Sequence, residues 1–206
     1  MNDSTQLSKP SNTALSPQPL RFATSQAWQT TVLENFDAFL LDHAAAEKKA
    51  AGMALSMISH YPDRLALVEA MADLAVEEMS HYREVIRWIH KRGLQLAADK
   101  KDAYVLAIRD EIRQGKDAYF MDRLITSGII EARGCERFAL VEQGLDEGPL
   151  KKFYTGIVRS EQRHYEELIG LAKLYFDTNE VEERADELLD IEAKIVAALP
   201  IRATLH

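Results

Sequence analysis

The chain has 206 residues, a formal net charge of −8, 47% hydrophobic and 28% charged residues, 9 glycines, 6 prolines and 1 cysteine. That length suits one domain with a sizeable core and is short for two. Cys135 alone excludes an intrachain disulfide framework and any multi-cysteine zinc or iron–sulfur site, and so little glycine and proline argues for helices over a β-sandwich.

The opening MNDSTQLSKPSNTALSPQPL is rich in Ser, Thr, Pro and Gln and lacks the apolar centre of a signal peptide. Residues 1–24 are therefore expected to form a flexible tail and 25–206 a single domain. No uncharged run approaches the ~20 residues of a membrane span, which predicts a cytoplasmic protein with no membrane partner. Four long amphipathic stretches follow, over about residues 27–59, 63–91, 117–145 and 149–176. Tyr61-Pro62 turns the first into the second, and Asp146-Glu147-Gly148 turns the third into the fourth, which opens on Pro149. A longer connection over about 93–116, with room for a helix of its own, separates the two pairs. A last acidic helix near 181–199 is expected to pack outside. The outline is all-α: a ferritin-like four-helix bundle, two helical hairpins joined by a crossover, with an extra C-terminal helix.

Core positions in such a bundle recur at alternating intervals of three and four. Traced this way, the second helix reads Leu67, Met71, Leu74, Glu78, His81, Val85, Trp88, and the fourth reads Leu150, Tyr154, Ile157, Glu161, His164, Leu168, Leu171. Each apolar stripe is interrupted by Glu-x-x-His, followed both times by a tyrosine. The first helix gives Phe36, Leu40, His43, Glu47, Ala50, Ala54, Met57, and the third gives Phe120, Leu124, Ser127, Glu131, Gly134, Phe138, Val141. Each contributes one inward glutamate near its middle.

Four buried carboxylates without compensation cost on the order of several kcal/mol each or take up protons. Two divalent cations and two neutral imidazoles bring the cluster close to neutrality. One Glu from each of two helices with Glu-x-x-His from each of the others is the ligand pattern of ferritin-like dimetal carboxylate proteins. Glu78 and Glu161 are expected to bridge the metals, Glu47 and His81 to terminate one, and Glu131 and His164 the other. Such ligands accept iron, manganese or zinc; the glutamate-rich dinuclear pattern favours two iron ions, with O2 as co-substrate.

Neighbouring residues divide less sharply. His43, one turn before Glu47, is either a donor to a carboxylate or a satisfied core histidine. Tyr82 and Tyr165 are candidates for hydrogen bonds behind the ligands or for simple helix packing. Glu77 and Glu136 lie off the stripes and are expected to be solvated, while Glu34 lies outside the metal layer. Cys135 is expected to line the cavity as a small hydrophobe.

The net charge disfavours a nucleic-acid partner for the chain as a whole, yet residues 83–116 hold nine basic residues against five acidic ones. Arg83, Arg87, Lys91, Arg92, Lys100, Lys101, Arg109, Arg113 and Lys116 are the candidates for contacting RNA phosphates. An ordinary solvated helix face accounts for the same charges.

The stretch FLLDHAAAEKKAAGMALSMISHYPD (39–63), with ALVEAMADLAVEEMSHYREV, SGIIEARGCERF and SEQRHYEEL after it, resembles the bacterial tRNA hydroxylase family that acts on 2-methylthio-N6-isopentenyladenosine beside the anticodon. The resemblance spans about residues 25–200. It implies a non-haem di-iron monooxygenase that hydroxylates the isopentenyl group of tRNA, with O2 and electrons from a separate reductase or electron-transfer protein. The family's ligand pattern falls on Glu47, Glu78, His81, Glu131, Glu161 and His164. The alternatives from the residues alone are a ferritin-like ferroxidase or peroxidase and a metal-free helical interaction protein.

Overall fold

Ser25 opens the first helix by accepting a hydrogen bond from the Trp28 amide, the usual role of a serine at that position. In the computed structural model, which describes residues 19–206, seven helices follow: α1 (Gln26–Glu34), α2 (Phe36–His60), α3 (Leu65–Lys91), α4 (Ala103–Asp110), α5 (Lys116–Gly144), α6 (Pro149–Tyr175) and α7 (Thr178–Ala198). Asp102 caps α4 through the Val105 amide, Asp177 caps α7 through Asn179, and Pro149 stands in the first turn of α6. Gly93, at φ 74°, ends α3: its amide bonds the His90 carbonyl and the Leu94 amide bonds that of Ile89, a pairing that requires the left-handed conformation glycine tolerates.

α2 pairs with α3 and α5 with α6, giving two hairpins, and α3 meets α6 along the centre. The crossover carries α4, which packs on α5 and α7, while α7 covers α5 and α6. This is the expected bundle with its extra helix. Among the described residues no helix is long and apolar enough to cross a membrane.

Three features differ from the sequence reading. The first long helix is two, because the chain breaks at Asn35 (φ −123°, ψ 40°) and α1 turns away to pack on α5. Residues 1–18 of the expected tail lie outside the described region. Residues 20–24 are tied down: Leu20 packs on the core, Arg21 pairs with Asp186 and Asp190, and Thr24 bonds Glu136 through its amide at 2.7 Å and its hydroxyl at 2.6 Å. The third difference is α5, which has no solvated side over most of its length, because α1, α4 and α7 cover what a plain bundle leaves open. Arg133 is therefore fully buried, gripping Glu192 of α7 at 2.7 Å and reaching Glu136 and the Phe22 carbonyl. Glu136 is accordingly a half-buried hub and not the solvated residue expected.

Candidate dimetal centre and its cavity

The six residues of the interrupted stripes meet at mid-height: Glu47 from α2, Glu78 and His81 from α3, Glu131 from α5, Glu161 and His164 from α6. Their potential ligand atoms form two groups, Glu47 with Glu78, His81 and Glu161, and Glu78 with Glu131, Glu161 and His164. Within each group the atoms lie within 4.8 Å of one another, and Glu78 and Glu161 belong to both. His81 Nδ1 stands 3.5 Å from Glu47, 3.7 Å from Glu78 and 3.8 Å from Glu161. His164 Nδ1 stands 3.0 Å from Glu78 and 3.6 Å from Glu161.

The chemistry of these atoms fits a pair of cations. Glu78 Oε1, Glu161 Oε1, His81 Nδ1 and His164 Nδ1 are buried and make no hydrogen bond among the described residues, since the short approaches between them lack hydrogen-bond alignment. Each such orphan costs about 1–3 kcal/mol, and a cation between converging lone pairs removes that cost. Electrostatics point the same way. Burial, then the charges of Glu161 and Glu47, push Glu78 up to about 8, and burial with the charges of Glu161 and Glu78 raises Glu131 well above the carboxylate range. Burial disfavours imidazolium at both histidines, but the surrounding carboxylates outweigh it and raise His81 to about 10 and His164 to about 12. The cluster draws positive charge, as protons or as metal.

Behind the ligands stands a set of partners. His43 Nε2 meets Glu47 Oε1 at 2.5 Å, and its Nδ1 meets the Tyr154 hydroxyl at 3.1 Å. Burial opposes the charge on Glu47, yet His43 outweighs it and holds that carboxyl far below its usual range. His43 is thus the carboxylate donor of the two roles considered. Glu77 corrects an expectation: its Oε2 meets His164 Nε2 at 3.1 Å, and its Oε1 accepts from Ser160 and Arg163 at 2.6 Å each. Burial alone would raise Glu77, but these three partners bring it down to about 2. Tyr82 packs in the apolar cluster around Phe39 and Val85, and Tyr165 lies against Gly128, both in helix packing. Cys135 is buried and donates to the Val158 carbonyl at 3.4 Å. Glu34 is exposed, away from the cluster.

A cavity of about 610 Å3 separates α2 from α5 and reaches Glu47, Glu78, Glu131 and Glu161. Its walls combine apolar side chains such as Met53, Ile130 and Phe138 with many polar and charged ones, the four glutamates among them. Exposed Lys49, Gly52, His60 and Arg109 mark its mouth, where Arg123 also stands. Of the nine basic candidates, all exposed, Arg109 alone lines this cavity. Arg83, Arg87, Lys91 and Arg92 follow α3, and part of that charge is spent on Glu84 and Asp37. Lys100 and Lys101 lie in the crossover, Lys116 opens α5, and Arg113 holds buried Asp122 at 2.7 Å. Lys49 and Arg123 were not anticipated, because each is one charge on a helix whose exposed side the pattern cannot distinguish from its mouth-facing one.

The profile of the family described as tRNA-(MS[2]IO[6]A)-hydroxylase (MiaE) matches residues 12–206. The chain belongs to that family. A protein of Pseudomonas putida KT2440 named tRNA 2-(methylsulfanyl)-N(6)-isopentenyladenosine(37) hydroxylase is 37% identical over 158 residues, 77% of each chain. One of the same name from Salmonella typhimurium LT2 is 26% identical, over 86% of this chain and 83% of that one. Among solved structures, a Synechococcus protein with aldehyde deformylating oxygenase activity superposes with a TM-score of 0.86 at 30% identity, covering 91% of this chain and 94% of the other. Family and relatives favour the hydroxylase reading over the ferroxidase alternative.

Proposed function

We propose that this chain is an O2-dependent di-iron monooxygenase that hydroxylates the isopentenyl group of 2-methylthio-N6-isopentenyladenosine next to the anticodon of tRNA. The observation that carries the reading is the pair of ligand groups sharing Glu78 and Glu161 at the inner end of the cavity, in a chain of the hydroxylase family. Glu78 and Glu161, common to both ligand groups, would serve both irons, with Glu47 and His81 holding one and Glu131 and His164 the other. When bound, the two ferrous ions supply the electrons that activate O2.

The chain's residues do the rest. The walls between α2 and α5 receive the prenyl chain and exclude water from the reacting carbon. Because the cavity lies inside the bundle, the base leaves the anticodon-loop stack to reach it. Lys49, Arg109 and Arg123 at the mouth contact the RNA phosphates there, and the α3 cations add longer-range attraction. Electrons for turnover come from a separate reductase or electron-transfer protein.

The test is expression in a bacterium whose tRNA carries the prenylated thiomethyl adenosine but which lacks the hydroxylase. Appearance of that nucleoside with one added oxygen supports the reading; unchanged tRNA, with protein soluble and iron-loaded, contradicts it.

A further inference from the structure

One titratable group on the cavity wall has no place in the scheme so far. His206 lines the same cavity as the carboxylates, its side chain is only 6% exposed, and its Nε2 is buried without a hydrogen-bond partner among the described residues. Its other nitrogen is committed, since Nδ1 lies 3.1 Å from Asp102 Oδ2. Asp102 is itself fixed, because its Oδ1 caps α4 through the Val105 amide at 3.1 Å. The imidazole stacks on fully buried Tyr104, with ring centroids 4.9 Å apart and planes 16° from parallel.

The backbone leading to His206 is held as firmly. The Trp28 indole donates to the Thr204 carbonyl at 3.2 Å, the Leu205 amide donates to Asp42 at 2.7 Å, and Arg137 donates to the Leu205 carbonyl at 2.6 Å. Three helices, α1, α2 and α5, thus converge to place one ring. A merely structural histidine would satisfy both nitrogens, since a buried polar atom left without a partner is destabilising. The orphan therefore points to a partner that arrives in the cavity.

The tautomer narrows what that partner is. An ionised carboxylate only accepts, so Nδ1 carries a hydrogen toward Asp102, and with that one hydrogen on the ring Nε2 is an acceptor. The ligand must bring a donor. Resting on the proposed substrate, the choice is short: an N6-prenylated adenine keeps a single N–H, at N6, at the root of the prenyl chain, while its ring nitrogens on the same edge only accept. We infer that His206 is a substrate-positioning residue whose Nε2 accepts a hydrogen bond from the N6–H of the modified adenine, with Asp102 and Tyr104 fixing the ring's tautomer and plane. The contact anchors the prenyl chain at its root while its far end lies toward the carboxylates, and it penalises a 6-substituent lacking the N–H.

Two matched anticodon stem-loop RNAs test this on anaerobic iron-loaded protein and in turnover: one with 2-methylthio-N6-isopentenyladenosine, one with the analogue in which an ether oxygen replaces N6–H. The wild-type chain is expected to bind the amine about tenfold more tightly than the ether. His206→Phe, which keeps the stacked ring but not the acceptor, is expected to bind both alike, at about the ether's affinity, with iron content unchanged. His206→Ala should do the same where it folds. A preference for the amine that survives His206→Phe overturns the proposal, as does a wild-type chain indifferent to the swap. Failure of the wild-type chain to hydroxylate the amine RNA overturns the substrate reading instead, so the two failures are distinguishable.

Discussion

His43 Nε2 and Glu47 Oε1 lie 2.5 Å apart, one helical turn from each other on α2, both buried, with Tyr154 of α6 closing the far side of the imidazole. The pair fixes which carboxylate oxygen is free to face the cluster. Outer partners of this kind typically change metal affinity 10–100-fold, roughly, when removed. His43→Phe is therefore expected to weaken iron binding by about that factor, read by competition against a chelator. Tyr154→Phe, one bond further out, should have a smaller effect.

Glu77 orients His164 from outside the cluster, and Arg163 and Ser160 hold Glu77 in turn. Glu77→Ala frees the imidazole to rotate. The expected outcome is a loss of iron affinity confined to the metal bound by His164, about tenfold or more, seen as two separated binding steps where the wild type shows closely spaced ones.

Sharing of Glu78 and Glu161 between the two ligand groups gives a stoichiometric signature. Glu78→Ala or Glu161→Ala should lower bound iron at both positions, whereas Glu47→Ala or Glu131→Ala should leave about half. Metal analysis after desalting reads the difference. Equal losses in all four variants would remove the bridging assignment.

The buried pair Arg133–Glu192 ties α5 to α7, with both side chains fully inaccessible. Removing Glu192 leaves buried Arg133 with Glu136 as its remaining carboxylate and takes the acceptor from the buried Tyr104 hydroxyl. Glu192→Ala is expected to destabilise by about 3 kcal/mol in urea unfolding, the low end for breaking a buried pair, without altering the ligand set directly.

Asp102 supplies a pH dependence. Burial would raise it, but the contact with His206 and the Val105 amide outweigh burial and lower it from 3.8 to about 2. A carboxyl depressed in the folded state adds stability that is fully present above its unfolded value and is lost as pH falls through the folded one. The window is thus about pH 4 to 2, worth about 2 kcal/mol. Asp102→Asn, which retains a side chain able to cap α4, should unfold at lower urea than wild type at pH 6, and the gap should narrow as pH approaches 2.

Much of this was legible in the sequence because burial imposes a period. Glu47, Glu78, His81, Glu131, Glu161 and His164 stand where only apolar residues are expected, so the three-and-four spacing puts them on the inner face of each helix, and the matching separations of 31 residues (Glu47 to Glu78) and 30 (Glu131 to Glu161) put them at one depth. The paired hairpins follow from Tyr61-Pro62 and Gly148-Pro149. What escaped depends on tertiary cover. Glu77 and Glu136 look solvated on a lone helix wheel, but α6 supplies partners to the first and the segment before α1 covers the second. The run Gly128, Ala132, Gly134, Cys135, Ala139 was a signal that α5 is approached on more than one side, since small residues admit close neighbours. The break at Asn35 had no proline or glycine to announce it. His206 carried no periodic signal because it lies beyond the last helix, and only the folded chain brings it beside α4.

The most direct test is a single turnover under 18O2. Protein reconstituted anaerobically with two ferrous ions per chain is mixed with tRNA bearing 2-methylthio-N6-isopentenyladenosine, exposed to the gas, and the nucleosides are analysed by mass spectrometry. The predicted result is one 18O on the prenyl group of that nucleoside, abolished by Glu131→Ala or His164→Ala. Oxidation of both irons with the nucleoside unchanged would contradict the hydroxylase reading and leave a ferroxidase-like centre in its place.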